Sequence, residues 1–313
     1  MRNRALGLLV LLFLTASCVF VSPVPTTPSI PSLPTDLPTP TFTPSIESPE
    51  PSPTSTLPPI VGPAPSYRVA AFYYPWYRTP EVDLYWDHWG EGSFHPPLDV
   101  ASDFYPALGA YSVADPAVLA QHFAWLCEAR VGVIVSSWWG QGSREDQAVP
   151  LLLDVADRYG IKVAFHIEPY HGRTATSLVY DIRYLYREYG DHPAFFRTTA
   201  SSRWSPDDRP KGLFYLWSAR FPDSDADPVE ADYWRDAIDD IHALPEGGLV
   251  LADETVTSWV DGGHFDGLYN YAVLESNAGN GYSWARGLPP GALYVPGVNP
   301  GFSARRIGYA NDT

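Results

Sequence analysis

Basic residues are scarce in this chain, and the shortage excludes several classes of partner. Its 313 residues contain 20 Lys and Arg against 36 Asp and Glu, which gives a formal net charge of -16. Nucleic acids and anionic membrane surfaces are bound by faces rich in Lys and Arg, because contacts to phosphate dominate such complexes. We therefore expect no nucleic-acid partner.

Cysteine and short cofactor motifs are also nearly absent. The two cysteines, Cys18 and Cys127, can form neither a disulfide framework nor a zinc site. Cys127 lies on a predicted helix, where we expect a buried free thiol. The chain contains no G-x-G-x-x-G, P-loop or G-x-S-x-G pattern, and its His and acidic residues are not spaced as metal ligands. We expect no cofactor and no metal.

The N-terminal residues have the layout of a secretory signal. Residues 1–18, "MRNRALGLLVLLFLTASC", contain two arginines, an apolar run and small residues that end at Cys18. "LTASC" resembles a bacterial lipobox, which predicts lipidation at Cys18, with simple cleavage or an uncleaved signal anchor as alternatives. We expect an extracytoplasmic protein, a cell-surface lipoprotein or a secreted one, that meets a membrane only through this lipid or anchor.

Residues 19–66 are predicted to be a disordered linker. From residue 22 onward this segment consists almost entirely of Pro, Thr and Ser and has no Lys or Arg. Such a composition cannot build a core and favours extended polyproline-type conformations. The globular domain is therefore expected over residues 67–313.

Short apolar strands alternate with amphipathic helical stretches after residue 67. The predicted strands cover 68–74, 132–139, 162–168, 212–217, 248–254, 265–271 and 292–298. A helix over 115–129 has Asp115 as its N-cap with Pro116 behind it, and another ends on Gly160. Repeated β-α units predict an α/β fold of the (β/α)8 TIM-barrel type, and the count of seven strands leaves the eighth β-α unit missing.

Four acidic residues lie near predicted strand ends, where barrels carry their catalytic groups. Asp253 and Glu254 are adjacent, so only one of them can face the barrel axis, and Asp266 lies at the start of a strand, which favours a structural role. Glu168 is the best placed, either as a functional carboxylate or as an ion-pair partner of Arg173. His166 shares its strand face, either as a ligand-binding group or as a core histidine bonded to backbone.

Aromatic residues cluster just past the strand ends, at 72–77, 85–89 and 137–139. Core packing places aromatics within strands and on helix stripes, so clusters on the loop side favour an open, aromatic-lined cleft of the kind that binds carbohydrate. His88 is a candidate for the wall of this cleft. The alternative is that these rings only seal the top of the barrel.

Several long segments resemble glycoside hydrolase family 99. They are "AFYYPWY", the "HW" at 88–89, "YSVADPAVLAQHFAWL", "VGVIVSSWWGQG", "KVAFHIEPYHGR", "YGDHPAFFR", "FDGLYNYA" and "VPGVNPGFSARRI", in order from residue 67 to the end. The resemblance implies a (β/α)8 barrel with an open cleft and no metal cofactor. It also implies a retaining endo-acting glycosidase whose substrate is an oligo- or polysaccharide containing α-mannose.

The same resemblance assigns candidate substrate-binding residues. They are Tyr74, Tyr77, Trp138, Trp139, His166, Glu168, Tyr170, Tyr269 and Tyr271, to which we add His88 and Trp89 from the aromatic cluster at 85–89. The family pattern for its two catalytic glutamates, of the type Asn-Glu-Trp-His-Glu-Gly-Thr-Gln-Ile-Glu, has no counterpart in this sequence. In the family these glutamates work through a 1,2-anhydro sugar. We expect them beyond Thr313, so this chain is expected to be a truncated and inactive member, with Glu168 as the fallback catalytic candidate.

Two other functions fit the sequence. The protein could be a non-catalytic surface protein that binds carbohydrate and keeps the cleft without the chemistry. It could also be a different barrel glycosidase in which Glu168 acts together with Asp253 or Glu254 as acid and base.

Overall fold

The structure, a computed structural model, describes residues 64–272, 278–298 and 306. The predicted signal at 1–18, the lipidation site Cys18 and residues 19–63 of the predicted linker lie outside the described residues. None of the described helices has the length and apolar character needed to cross a membrane.

The sheet contains seven parallel strands, each of which overlaps a predicted one. They are β1 (Ser66–Tyr73), β2 (Val131–Trp138), β3 (Lys162–Ile167), β5 (Lys211–Leu216), β6 (Leu249–Asp253), β7 (Gly267–Tyr269) and β8 (Leu293–Val295), hydrogen-bonded in this order. A two-residue strand not predicted from the sequence, β4 (Arg197–Thr198), pairs antiparallel with β5. Within the described part of the chain, no pairing joins β8 to β1. The α/β class and the parallel β-α order are confirmed.

The sheet curls strongly, as ring contacts between distant strands show. Phe72 of β1 lies 5.9 Å from Tyr269 of β7 and 6.2 Å from Tyr215 of β5, measured between ring centroids. These strands are not neighbours in the sheet, so their side chains can meet only on the concave side. We call this side the inner face; its apolar floor includes Val133, Val135 and Leu251.

The described helices are α1 (Pro80–Asp83), α2 (Pro116–Glu128), α3 (Arg144–Tyr159), α4 (Ala175–Tyr189), α5 (Arg235–His242), α6 (Ser258–Gly262) and α7 (Ala278–Gly287), with a 3-10 turn at Ala231–Tyr233. Helices α2 to α6 bury apolar side chains against the other face of the sheet, whereas α1 buries none of its residues. The predicted start of α2 is confirmed, because the Asp115 side chain accepts a hydrogen bond from the backbone N–H of Ala117. Gly160 ends α3 in the left-handed conformation, also as predicted.

The main core lies between this helical layer and the sheet. Cys127 is fully buried there as a free thiol, which confirms that prediction. Asp266 is also fully buried, and it accepts hydrogen bonds from the backbone N–H of Val250 at 2.7 Å and from Nε2 of His242 at 3.0 Å. Its role is structural, as its place before β7 predicts.

Candidate functional site

Polar and aromatic side chains converge on the inner face where the parallel strands end. Side chains alternate between the two faces of a strand, so residues two apart share a face. The group that we call the inner cluster follows from this rule and consists of Tyr74, Ser137, Trp139, His166, Glu168, Trp217, Asp253, Tyr269 and Tyr271. Its members touch one another: His166 lies 5.4 Å from Tyr271 and 6.0 Å from Trp217 between ring centroids.

Local sequence explains why two of these strands end where they do, with Glu168 and Trp139 at their ends. Pro169 follows Glu168 directly, and because it lacks a backbone N–H it cannot continue the ladder of β3. After Trp139 the chain turns at Gly140 with φ of 96°, a conformation that favours glycine. A Cβ there would also approach the Tyr170 ring to 3.3 Å. Glu168 and Trp139 therefore sit at fixed strand ends.

Glu168 is the central hydrogen-bond acceptor of the inner cluster. Its Oε1 accepts a hydrogen bond from the Ser137 hydroxyl at 2.6 Å and lies 3.0 Å from Nδ1 of His166. The other ring nitrogen of His166, Nε2, lies 2.7 Å from the Tyr269 hydroxyl. His166 is thus bonded to side chains, and the alternative of a core histidine satisfied by backbone does not hold.

Arg173, the alternative ion-pair partner of Glu168, uses its hydrogen-bond donors on backbone carbonyls. Its guanidinium donates to five backbone carbonyls, those of Ile167, Trp217, Ser218, Phe221 and Pro222. Burial lowers the pKa of Arg173 to about 10. Among the described residues, the basic side chain within hydrogen-bond distance of the Glu168 carboxylate is His166.

The adjacent acids Asp253 and Glu254 point in different directions, as predicted for one strand end. Asp253 accepts hydrogen bonds from the backbone N–H groups of Tyr271 at 3.0 Å and Ser218 at 3.4 Å, and burial raises its pKa. Glu254 instead pairs with Arg220 at 2.6 Å and accepts from the N–H groups of Thr255 and Val256. Asp253 therefore belongs to the inner cluster and Glu254 does not.

One wall of the site is a stack of three rings. Trp76 lies between Tyr74 and His88, with ring centroids at 4.8 and 4.7 Å and ring planes within 22°. His88 takes a left-handed backbone conformation with φ of 58°, and its Nδ1 lies 2.6 Å from Oε1 of Glu91. Tyr74 also shares a short hydrogen bond with Tyr271, and burial raises the pKa of Tyr74, so both hydroxyls stay protonated.

Four predicted binding residues lie away from the inner cluster. Trp138 is fully buried on the helix side, where its indole N–H donates to Asp146 at 2.8 Å, and Tyr170 bonds to Asp181 on the same side. Trp89 is 2% exposed and donates to the carbonyl of Tyr111 at 2.8 Å. Tyr77 packs on Trp89 at 4.3 Å. These contacts place Trp89 and Trp138 in the packing of the fold, apart from Trp139 and His88, with which the sequence interpretation grouped them.

The structure adds residues that sequence reasoning missed. Ser137, Trp217 and Trp76 all adjoin the predicted group, and the strand alternation that selects Trp139 and Glu168 also selects Ser137 and Trp217. From the sequence alone, Asp253 could not be distinguished from Glu254 as the residue that faces the barrel axis. Trp76 had no such signal, because its place depends on the path of the loop after β1.

Surface residues His171, Asp223 and Asp225 form the set that the described residues offer to a metal ion. Their candidate ligand atoms lie within 4.8 Å of one another. His171 is 87% exposed and Asp225 80% exposed, and Asp223 already accepts hydrogen bonds from two backbone N–H groups. The set is separate from the inner cluster and needs no ion to explain its contacts.

The inner cluster combines stacked aromatic rings with uncharged donors and two carboxyl groups. Aromatic faces pack against the C–H faces of sugar rings, and the hydroxyls and carboxylates can hydrogen-bond sugar hydroxyls. At the carboxyl ends of a curled parallel sheet, this combination defines the class of carbohydrate-active barrel proteins.

Comparison with known proteins identifies the family. The model of glycosyl hydrolase family 99 matches residues 65–312, and the chain belongs to this family. It is 33% identical over 277 residues to a glycoprotein endo-alpha-1,2-mannosidase-like protein of Danio rerio, which covers 75% of this chain and 59% of that protein. It is 30% identical over 283 residues to a glycoprotein endo-alpha-1,2-mannosidase of Mus musculus, with 79% and 57% covered.

A solved structure supports the same conclusion. The GH99 endo-alpha-mannosidase from Bacteroides thetaiotaomicron, in complex with bis-tris-propane, superposes with a TM-score of 0.65 at 31% identity, covering 78% of this chain and 73% of that one. The chain spans less than two thirds of the length of the two curated relatives.

Proposed function

We propose that this protein is a glycoside hydrolase of family 99 that acts on internal α-mannosidic bonds of glycans, and that the inner cluster binds the sugar. The observation that carries the proposal is the placement of Trp139, Glu168 and the Tyr74 to His88 stack at one end of the sheet. The names of the relatives, endo-alpha-mannosidases, supply the substrate class.

Within residues 1–313 we assign Glu168 to sugar binding rather than to catalysis. The family's paired catalytic glutamates have no counterpart in this sequence. A carboxylate that already accepts two hydrogen bonds on one oxygen suits a ligand hydroxyl, because charge-assisted hydrogen bonds are about twice as strong as neutral ones. We therefore propose that these 313 residues bind α-mannosides without hydrolysing them. A protein that also contains the family's two glutamates would hydrolyse them by the retaining route through a 1,2-anhydro sugar.

Calorimetric titration of the full chain with α-1,2-mannotriose tests the binding half of this proposal. We expect saturable binding and none with cellotriose. Glu168→Gln and Trp139→Ala should each weaken affinity by about tenfold or more, since a charge-assisted bond or an aromatic contact is worth about 1 to 3 kcal/mol. Glu188→Gln and Tyr180→Ala, both exposed on α4, are the matched controls and should change nothing. Equal loss in the control variants would contradict the assignment.

A second candidate function rests on the two carboxyl groups of the inner cluster. Glu168 and Asp253 face the same side, and the raised pKa of Asp253 suits a general acid. This version predicts that the chain itself releases reducing sugar from α-1,2-mannotriose, and that Glu168→Gln and Asp253→Asn each abolish the release. Binding without release in the unmodified chain rejects it and keeps the first proposal.

A further inference from the structure

Two chains of hydrogen bonds converge on a single oxygen of Glu168. In the first, the indole N–H of Trp139 donates to Oγ of Ser137 at 3.2 Å, and the Ser137 hydroxyl donates to Oε1 of Glu168 at 2.6 Å. In the second, the Tyr269 hydroxyl meets Nε2 of His166 at 2.7 Å, and Nδ1 of His166 meets the same Oε1 at 3.0 Å. The indole N–H and the serine hydroxyl thus donate in sequence, and the sequence ends at the carboxylate.

The proton positions in the second chain of hydrogen bonds follow from the Glu168 carboxylate at its end. An ionised carboxylate oxygen can only accept, so Nδ1 of His166 must carry a proton. In the neutral ring Nε2 is then an acceptor, and the Tyr269 hydroxyl donates to it. Tyr269 therefore fixes the tautomer of His166, and His166 in that tautomer is a donor to Glu168.

The other oxygen of Glu168 is left for a ligand. Every hydrogen bond of the Glu168 side chain to the described residues involves Oε1. The Glu168 side chain is 3% exposed, and Oε2 is not among the fully buried atoms without a partner in the described part of the chain, so Oε2 retains part of that small exposed area. The two chains of hydrogen bonds hold Oε1 of Glu168 and leave Oε2 free to accept a hydrogen bond from a ligand hydroxyl.

We propose that Ser137 and the His166–Tyr269 pair are positioning residues, which hold Oε1 of Glu168 so that Oε2 presents its lone pairs to a hydroxyl of an α-mannoside bound against Trp139. Ser137 also links the aromatic surface of Trp139 to this carboxylate. The inference rests on the proposed function, because it assumes that the inner cluster binds α-mannosides.

A double-mutant cycle on the full chain tests this proposal, with α-1,2-mannotriose as the probe in calorimetric titration. Ser137→Ala, which removes a hydrogen bond to a charged group, should weaken affinity about 5- to 20-fold, and Tyr269→Phe, which removes a bond to the neutral His166 ring, about 3- to 10-fold. In a Glu168→Gln background, each should change affinity less than about twofold, because residues that act through one group are not additive. Ser137→Thr, which keeps the hydroxyl, should restore most of the affinity.

Matched controls separate positioning from general stability. Ser202 also donates its hydroxyl to a buried carboxylate, Asp266, but at the opposite ends of the strands. The Tyr186 hydroxyl accepts from the backbone N–H of Gly212 there. Ser202→Ala and Tyr186→Phe should lower the melting temperature and leave affinity unchanged, whereas Ser137→Ala should lower affinity at temperatures where it remains folded.

Three results would count against the proposal. If Ser137→Ala and Tyr269→Phe weaken binding as much with Gln at position 168 as with Glu, they do not act through this carboxylate and the inference fails alone. The inference also fails alone if Ser137→Ala and Tyr269→Phe lower affinity no more than the Ser202→Ala and Tyr186→Phe controls do. If the unmodified chain does not bind the trisaccharide at all, the proposed function itself fails and the inference falls with it.

Discussion

His122 on α2 is half-buried among aromatic rings, and this environment controls its charge. Its Nδ1 lies 2.9 Å from the Tyr73 hydroxyl, and its ring meets Tyr111 edge-on at 4.8 Å. Burial lowers the pKa of His122 from 6.5 to about 4. The ring is therefore neutral in the folded protein at neutral pH.

This shift predicts a loss of stability on acidification. Because the folded pKa lies below the unfolded value of 6.5, the contribution is fully present above pH 6.5 and is lost as pH falls toward about 4. We expect a loss of about 2 kcal/mol in the free energy of unfolding, at about 1.4 kcal/mol per pKa unit with an allowance for the remaining solvent contact. Denaturant unfolding at a series of pH values measures it.

His122→Gln is the control for this prediction, since glutamine can still hydrogen-bond the Tyr73 hydroxyl but does not titrate. The variant should be less stable at neutral pH, and its stability should fall less steeply between about pH 6.5 and pH 4. Parallel curves for the two proteins would contradict the assignment of this slope to His122.

The sequence predicts an individual site residue only where it also predicts which face of the strand that residue occupies. The polar and aromatic residues of the "SWW" and "HIEPY" segments indicate a site at these strand ends, and alternation places His166 and Glu168 together on one face. Assigning both Trp138 and Trp139 to the site conflicts with the same rule, because adjacent residues of a strand point to opposite faces. The hydrogen bond from Trp138 to Asp146 depends on the packing of α3 against β2, and strand spacing does not contain that information.

Among the connecting elements, the loop after β5 depends on one side chain from the loop after β3. Arg173, 1% exposed, donates to the carbonyls of Trp217, Ser218 and Phe221 and so ties the two loops together. The backbone N–H of Ser218 in turn donates to Asp253 in the inner cluster. The loop after β5 is therefore part of the support of the site.

Arg173→Lys should loosen this loop while keeping the positive charge. Lysine has three donors on one nitrogen against five spread over the guanidinium, so at least two buried carbonyls lose their partner. We expect the free energy of unfolding to fall by about 2 kcal/mol, at about 1 kcal/mol for each lost bond. Faster proteolysis within residues 217–222 is the second readout.

Arg183→Lys, at an exposed position on α4, is the matched control and should change neither property. A loss of stability in Arg173→Lys without faster cleavage after β5 would show that the arginine stabilises the core but not the loop.

The elements themselves were easier to predict than their connections. All seven parallel strands and the ends of α2 and α3 at Asp115 and Gly160 follow from apolar runs and capping residues. The two-residue β4 gives too short a pattern to detect. The stack of Tyr74, Trp76 and His88 could not be predicted, because it brings a strand end and a loop together through backbone conformations such as the positive φ of His88.

The net charge of the whole molecule bears on which glycan it binds. At -16 the chain repels anions over distances comparable to the Debye length, which is about 8 Å in physiological salt. The inner cluster adds two carboxyl groups, Glu168 and Asp253, at the point where a ligand would be held. A neutral mannoside avoids this repulsion, whereas a phosphorylated or sulfated one does not.

We therefore expect the protein to discriminate against charged glycans in a salt-dependent way. At about 20 mM salt, α-1,2-mannobiose carrying a 6-phosphate should bind at least about fivefold more weakly than the neutral disaccharide. At about 500 mM salt, screening should narrow this difference to about twofold, while the affinity of the neutral disaccharide stays constant and serves as the control. Calorimetric titration at both salt concentrations measures the two affinities. Tighter binding of the phosphorylated disaccharide at low salt would mean that local cations, and not the overall negative charge, govern the choice of ligand.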